Sequence, residues 1–317
     1  MATSVTPASL IVHQVDAFLS QAPGLRDGSV TAFHDARVAT RRMRELLPFA
    51  AAYFTPATLE DVENILKNAT RRLGRVRDAD VNIELMRAFQ GAAPEAAVDV
   101  GLALGEWMRI RERRTRRAIK ALERLDIDRV LHDVRLALTQ HAPRLIGLRR
   151  RASAVEMWED LLDARLRERA GELKASVAHA GGVMFSNRLH GARIAAKKLR
   201  YVMEIAAATG HAHFRDELRV LKKSQELLGS LHDHDVLADA LRAAGAGAVQ
   251  LLPMIDLHRR RLHARYVRRR DAILDVCEAA VRAATRDHRS MLARRAALAG
   301  ALPLAVLALP LVRRRFA

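Results

Sequence analysis

The segment "FHDARVATRRMREL", residues 33 to 46, holds His34, Arg37, Arg41, Arg42 and Arg44 within eleven positions. On a helix turning about 100° per residue, His34, Arg37, Arg41 and Arg44 form one stripe roughly a quarter turn wide, with Arg42 on its flank. Ala36, Ala39, Met43, Leu46, Leu47 and Ala50 occupy the opposite side, the face a core would cover. Like charges at i,i+4 destabilise an isolated helix by a few tenths of a kcal/mol per pair. A solvated face ordinarily mixes signs and avoids this cost. One sign sustained over three turns therefore points to an anion as the missing partner. Arginine offers planar forks to phosphate oxygens and lysine a point charge.

The stripe occurs twice. "LHGARIAAKKLRYV", residues 189 to 202, repeats it without gaps at an offset of 156. His190, Arg193, Lys197, Lys198 and Arg200 fall on His34, Arg37, Arg41, Arg42 and Arg44, and Ala192, Ala195, Leu199, Val202, Met203 and Ala206 form the matching apolar face. A second pairing follows each copy: "LKNATRRLGRVRDADVNIEL" (66 to 85) aligns with "LKKSQELLGSLHDHDVLADA" (221 to 240) at an offset of 155. It superposes Lys67 on Lys222, Gly74 on Gly229, Asp78 on Asp233 and Asp80 on Asp235. Lys67, Arg71, Arg75, Lys222 and Lys223 thereby join the candidate anion ligands. The glycines are expected to allow close helix approach, and Asp78 and Asp233 to pair with basic residues and orient them. Two helix pairs at nearly constant offset predict a duplicated bundle whose halves pack about a pseudo-twofold axis. If the two stripes face each other, they form a basic groove suited to a linear phosphate polymer.

The elements that must position these residues are helices. Between residues 8 and 290 alanine, leucine and arginine dominate, apolar residues recur at three- and four-residue spacing, and alternating β-branched runs are absent. Breaks are expected at Gly24 to Gly28, Thr55-Pro56, Gly91 to Pro94, Ala142-Pro143, Gly181-Gly182, Gly210, Gly245 to Gly247 and Pro253. The predicted class is all-α, a duplicated helical bundle in one domain over 8–290, with a first half of about 8–145 and a second of about 152–290. The tail, 296–317, places 17 uncharged residues (296–312) between two arginine clusters. That is short of the roughly 20 residues a spanning helix needs, and Pro303 and Pro310 interrupt it. It is expected to pack on the domain or to touch a lipid or granule surface.

The totals agree with a polyanion partner. Lys plus Arg is 54 against 36 Asp plus Glu, a net charge of +18, and the pI is about 11.2. Aromatics are only 4%, too few for the stacking platforms of single-stranded nucleic-acid binders. The basic stretches 109–125 and 258–270 could lie along a duplex, but no zinc, zipper or recognition-helix motif accompanies them. Weak nucleic-acid binding is thus an alternative rather than the main reading. A lone cysteine, Cys277, precludes an internal disulfide and any all-Cys metal site, and fits a reducing cytosol. The N-terminus lacks a signal-peptide layout. His-Asp dipeptides at His34, His132, His232 and His234 offer a second alternative, a metal-dependent phosphohydrolase. Against it, Asp35 becomes Gly191 in the second copy, and the carboxylates lie among arginines that would repel a cation. No catalytic residue, metal ligand or cofactor is assigned.

The doubled pattern H-x-x-R-[VI]-A-x-[RK]-[RK]-[ML]-R, each copy followed by L-K, L-G and D-x-D, resembles the CHAD family, the conserved histidine α-helical domain. The resemblance covers nearly the whole chain from about residue 8 to 290. It implies paired four-helix bundles around a basic pore that binds inorganic polyphosphate without catalysis; the expected setting is the cytoplasm, with polyphosphate granules as a candidate location. The matching motif residues are His34, Arg37, Arg41, Arg42, Arg44 and Lys67, and His190, Arg193, Lys197, Lys198, Arg200 and Lys222. Many family members carry a triphosphate-tunnel hydrolase domain; this chain has no room for one and reads as a stand-alone binding module. Arg71 becomes Glu226 in the second half, which lowers the positive charge expected there.

Overall fold

The computed structural model describes residues 5–90, 97–140, 148–182, 186–244 and 251–300, and among them the chain is helical, with no strand. The first half comprises α1 (Pro7–Leu19), α2 (Ala22–Arg26), α3 (Val30–Leu46), a 3-10 turn (Leu47–Tyr53), α4 (Pro56–Gln90), α5 (Ala97–Arg124) and α6 (Ile127–Gln140). The second comprises α7 (Leu148–His179), α8 (Ser186–Ala208), α9 (Arg215–Ala244), α10 (Leu252–Val267) and α11 (Arg270–Gly300). The two basic stripes therefore lie on α3 and α8, and the D-x-D stretches on α4 and α9.

Local chemistry sets these boundaries. Thr6 caps α1 in a capping box with Ser9, and Pro7 opens the helix. Gly28 turns the chain at φ +71°, so that Ser29 can cap α3 by accepting from the Ala32 N–H. Thr55 accepts from the Thr58 N–H where α4 begins at Pro56. Gly210, at φ +73°, ends the α8 turn, with the His211 N–H returning to the Ala206 carbonyl at 2.9 Å. Two breaks carry no glycine or proline. Asp126 adopts φ +46° between α5 and α6, and α10 gives way to α11 at Arg268 and Arg269. The expected breaks at Gly91 to Pro94, Ala142-Pro143 and Gly245 to Gly247 lie in or against segments outside the described residues, as do residues 301–317 of the tail. Among the described residues no helix is long and apolar enough to cross a membrane.

The helix neighbours repeat between the halves. In the first, α3 packs on α1 and α4, α4 on α5, and α1 on α6; in the second, α8 packs on α7 and α9, α9 on α10, and α7 on α11. Between the halves, α3 meets α8 and α4 meets α9, each helix against its sequence counterpart. The apolar faces read from the two stripes are the core: all twelve residues from Ala36 to Ala50 and from Ala192 to Ala206 are buried, none above 5% exposed. They join one hydrophobic cluster that runs through both halves. A second, smaller cluster of Met86, Val100, Ala103, Leu237, Leu241, Leu251 and Ile255 ties the far ends of α4 and α9 to α5 and α10. Between these clusters the facing residues of α4 and α9 turn polar, and the cavity described next lies there.

Candidate anion-binding site

The two stripes converge on one cavity of about 620 Å³. α3 contributes His34, Arg37 and Arg41 to it, and α8 contributes His190, Arg193 and Lys197. α4 adds Arg77, Asp78 and Asn82, α9 adds His232 and Asp233, and α5 adds Trp107 and Arg114. Six cationic groups of Arg and Lys thus face one another across α3, α4, α5 and α8, with three imidazoles and two carboxylates between them.

The first of the repeated glycines is explained by this convergence. A Cβ at Gly74 would stand 3.2 Å from Arg37 Nε, and one at Gly229 would stand 3.8 Å from Arg193 Nε. At Gly229 an added Cβ would meet Arg193 only in ordinary van der Waals contact, whereas Gly74 clears the path of Arg37 from α3 over α4. The atom it admits is a guanidinium rather than helix backbone, which refines the expectation from sequence. The two acids of each D-x-D divide their work. Asp80 binds Arg111 of α5 at 2.6 Å, and Asp235 binds Arg259 of α10 at 2.5 Å. These matched ion pairs fasten α5 and α10 to their partners. Asp78 and Asp233 instead look into the cavity.

Crowded cations in a desolvated space resist their own charge. Burial, with Arg41, Arg193, Arg37 and Arg200 nearby, pushes the Lys197 ammonium down to about 6. Burial, helped by Arg193, His190 and Lys197, takes His232 down to about 4, and its ring lies 4.4 Å from that of His190. Arg41 is pushed down to about 10, by burial first and then by Arg37, Arg193 and Arg200, against the opposing pull of Tyr201. His34 and His190 are lowered by burial and neighbouring cations, and Arg37 by burial against the pull of Asp78. Asp78 and Asp233 move the other way: burial raises both, although Arg37, Arg114, Arg193 and Arg77 favour ionised Asp78. Several buried polar atoms also have no protein partner, among them Arg37 Nε, His190 Nδ1 and both amide atoms of Asn82. A negative ligand in the cavity would reverse every cationic shift and supply acceptors to the unpaired donors.

The remaining residues singled out by sequence lie elsewhere. Arg42 and Arg200 both bind Glu204, at 3.4 and 2.8 Å, so that this carboxylate joins α3 to α8. Lys198 binds Glu172 of α7 at 3.4 Å. The Arg200 and Arg41 guanidinium groups stand 5.1 and 5.6 Å from the Tyr201 ring, within cation–π range. Arg44 is partly buried and does not line the cavity. Lys67, Arg71, Arg75, Lys222 and Lys223 are exposed on α4 and α9. Arg71 donates to Asn68 Oδ1 at 2.7 Å, and the Arg75 carbonyl accepts from Arg114 at 2.8 Å. Lys67 and Lys222 each precede the cavity-lining Arg77 and His232 by ten residues, or about 15 Å along a helix.

Sequence reading did not select Arg77, Asn82, Trp107, Arg114 or His232 as ligands. A signal existed for two of them: Arg77 and His232 immediately precede the repeated cavity aspartates at matching positions. Trp107 and Arg114 depend on how α5 packs on α4, which no spacing within one helix reveals. Among the described residues no group of three or more His, Cys, Asp or Glu side chains is placed to hold a metal ion.

Comparison with known proteins places this architecture. Two uncharacterized proteins of Mycobacterium tuberculosis, from different strains, are each 28% identical to the chain over 243 residues, covering 73% of it and 44% of their own length. The chain thus spans less than half the length of these relatives. The crystal structure of the CHAD domain from the plant Ricinus communis superposes with a TM-score of 0.56 at 21% identity, covering 86% of this chain and 90% of that one. The likeness extends over nearly all of the helical architecture and supports the fold alone. The family model for the CHAD domain matches residues 9–242, from α1 through α9, and so includes both stripes and both D-x-D stretches. The chain belongs to the CHAD domain family.

Proposed function

We propose that this protein binds inorganic polyphosphate, without turning it over, in the cavity between α3 and α8. The observation that carries the reading is the convergence of Arg37, Arg41, Arg77, Arg114, Arg193 and Lys197 on one space of about 620 Å³. Cations held this close at a cost to their own protonation favour a ligand of high charge density. A linear phosphate chain offers one ionised oxygen per unit and no bulky base, and so matches both the charge and the confinement. A nucleic-acid duplex is too wide for a cavity of this volume. Single strands rely on aromatic stacking, and among the described residues Trp107 is the sole Trp, Tyr or Phe ring lining the cavity. Holding rather than hydrolysis fits the carboxylates, because Asp78 stands among arginines that disfavour a divalent cation beside it. The exposed Lys67, Arg71, Arg75, Lys222 and Lys223 would then meet the polymer outside the cavity, where chain length matters. The cytoplasm, at polyphosphate deposits, is the setting that suits such a ligand.

The test is competition between long-chain polyphosphate and duplex DNA at fixed salt. Polyphosphate is expected to displace DNA at far lower phosphate concentration, with a steep fall in affinity as salt rises. Equal or tighter binding of DNA would overturn the proposal.

A further inference from the structure

The two halves are not equivalent at the cavity. Asn82 of α4 lines it and is 1% exposed, with neither Nδ2 nor Oδ1 meeting a protein partner. Its counterpart in the second half, at the offset of 155, is Leu237, which is wholly buried in an apolar cluster. The matched Arg111 and Arg259 ion pairs fix the register of α5 against α10. In that register Trp107 falls on Ile255 and Arg114 on Leu262, so three residues of the cavity wall have apolar counterparts in the second half. An apolar residue evidently fits this place in the fold. Burying an amide there without partners is unfavourable, and a bound ligand or an ordered water would offset that cost.

The chemistry of Asn82 restricts that ligand. Whichever way the amide is turned, it presents donors on one side and an acceptor on the other. An internal unit of a phosphate chain is fully ionised and only accepts hydrogen bonds, so it satisfies Nδ2 and leaves Oδ1 bare. A phosphoryl group that retains a proton both accepts and donates. In a linear chain such a group occurs only at the ends, whose second ionisation is expected near that of a phosphate monoester, roughly pH 6.

Resting on the polyphosphate reading above, we infer that the wall formed by Asn82, Trp107 and Arg114 is an end-group subsite for the protonated terminal phosphoryl of the chain. Asn82 Nδ2 donates to a terminal oxygen, Oδ1 accepts from the P–OH, and Arg114 neutralises the remaining charge. The subsite makes the two ends of the cavity distinct and gives the bound chain a direction.

The experiment is calorimetric titration with short linear polyphosphate, either free-ended or with both terminal phosphates blocked as methyl esters, which keep no donor. Wild type and Asn82→Leu, which installs the residue of the second half, are compared at pH 6 and pH 8. The wild type is expected to prefer the free-ended chain by on the order of tenfold at pH 6, and by less at pH 8, where the terminal proton is lost. Asn82→Leu is expected to bind both chains equally, at the level of the blocked chain, with a melting temperature no lower than wild type. Equal binding of both chains by the wild type would overturn the end-group subsite and leave Asn82 as a site for bound water. Retention of the free-end preference in Asn82→Leu would also overturn it. Binding of neither chain by the wild type would overturn the polyphosphate reading itself, and the subsite with it.

Discussion

Replacing Lys197 with methionine separates stability from binding. The side chain keeps its length and loses the charge that its surroundings resist. Burial and four neighbouring arginines lower Lys197 from 10.5 to about 6. A lowered lysine destabilises the fold because the unfolded chain holds the proton more tightly. That destabilisation is full below the folded pKa near 6 and is relieved as pH rises toward 10.5. At pH 7.5 the shift sets a ceiling of about 4 kcal/mol, taking about 1.4 kcal/mol per unit. Lys197 is only partly buried, so solvent screens much of this and leaves about 1–2 kcal/mol. Lys197→Met is therefore expected to melt about 2–4 °C above wild type at pH 7.5, with the gain shrinking toward pH 10. The same variant should bind polyphosphate more weakly and gain less thermal protection from saturating ligand. Differential scanning calorimetry with and without polyphosphate reads both effects. A lower melting temperature at pH 7.5 together with unchanged affinity would refute the reasoning.

Other perturbations follow from the same geometry. Binding at pH 7 should take up protons, because an anion raises the lowered pKa values of Lys197 and the cavity histidines; titration in buffers of different ionisation enthalpy measures the uptake, and affinity should rise as pH falls from 8 to 6. Gly74→Ala should weaken binding severalfold by crowding Arg37 at 3.2 Å, whereas Gly229→Ala, at 3.8 Å from Arg193, should change it little. Asp80→Ala leaves Arg111 without its carboxylate and should cost about 3 kcal/mol of stability, seen as a lower denaturation midpoint. Arg111 does not line the cavity, so affinity per folded molecule should change far less.

Much of this arrangement is legible in the sequence, and the parts that are not share a cause. Periodicity placed the apolar faces of α3 and α8 in the core because a helix has only one face to offer a core. It likewise set Arg42 and Lys198 on the flank of the stripe, and they pair with Glu204 and Glu172 rather than lining the cavity. The duplication singled out Gly74, Gly229 and both aspartates of each D-x-D. It did not reveal that the first aspartate faces the ligand space while the second fastens α5 or α10, because both are the same residue type two positions apart. Arg44 and Arg200 fit the stripe by angle but lie beyond the reach of the cavity, where Arg200 meets Glu204 instead. Angle around a helix is encoded locally, whereas position along it matters only once a second helix crosses. Arg114, Trp107 and Asn82 are invisible for that reason, and they are also the residues the second half lacks.

The central claim is that paired stripes, rather than the general positive field, hold the ligand. The direct measurement is the affinity for long-chain polyphosphate of Arg37→Glu/Arg193→Glu against Arg113→Glu/Arg116→Glu, titrated at one salt concentration. Both variants undergo the same change in net charge, but Arg113 and Arg116 are exposed on α5, where they pair with Glu106 and Glu112. The cavity variant is expected to lose affinity on the order of a hundredfold, and the α5 variant only severalfold. An equal loss in the two would contradict a defined site and leave a diffuse basic surface in its place.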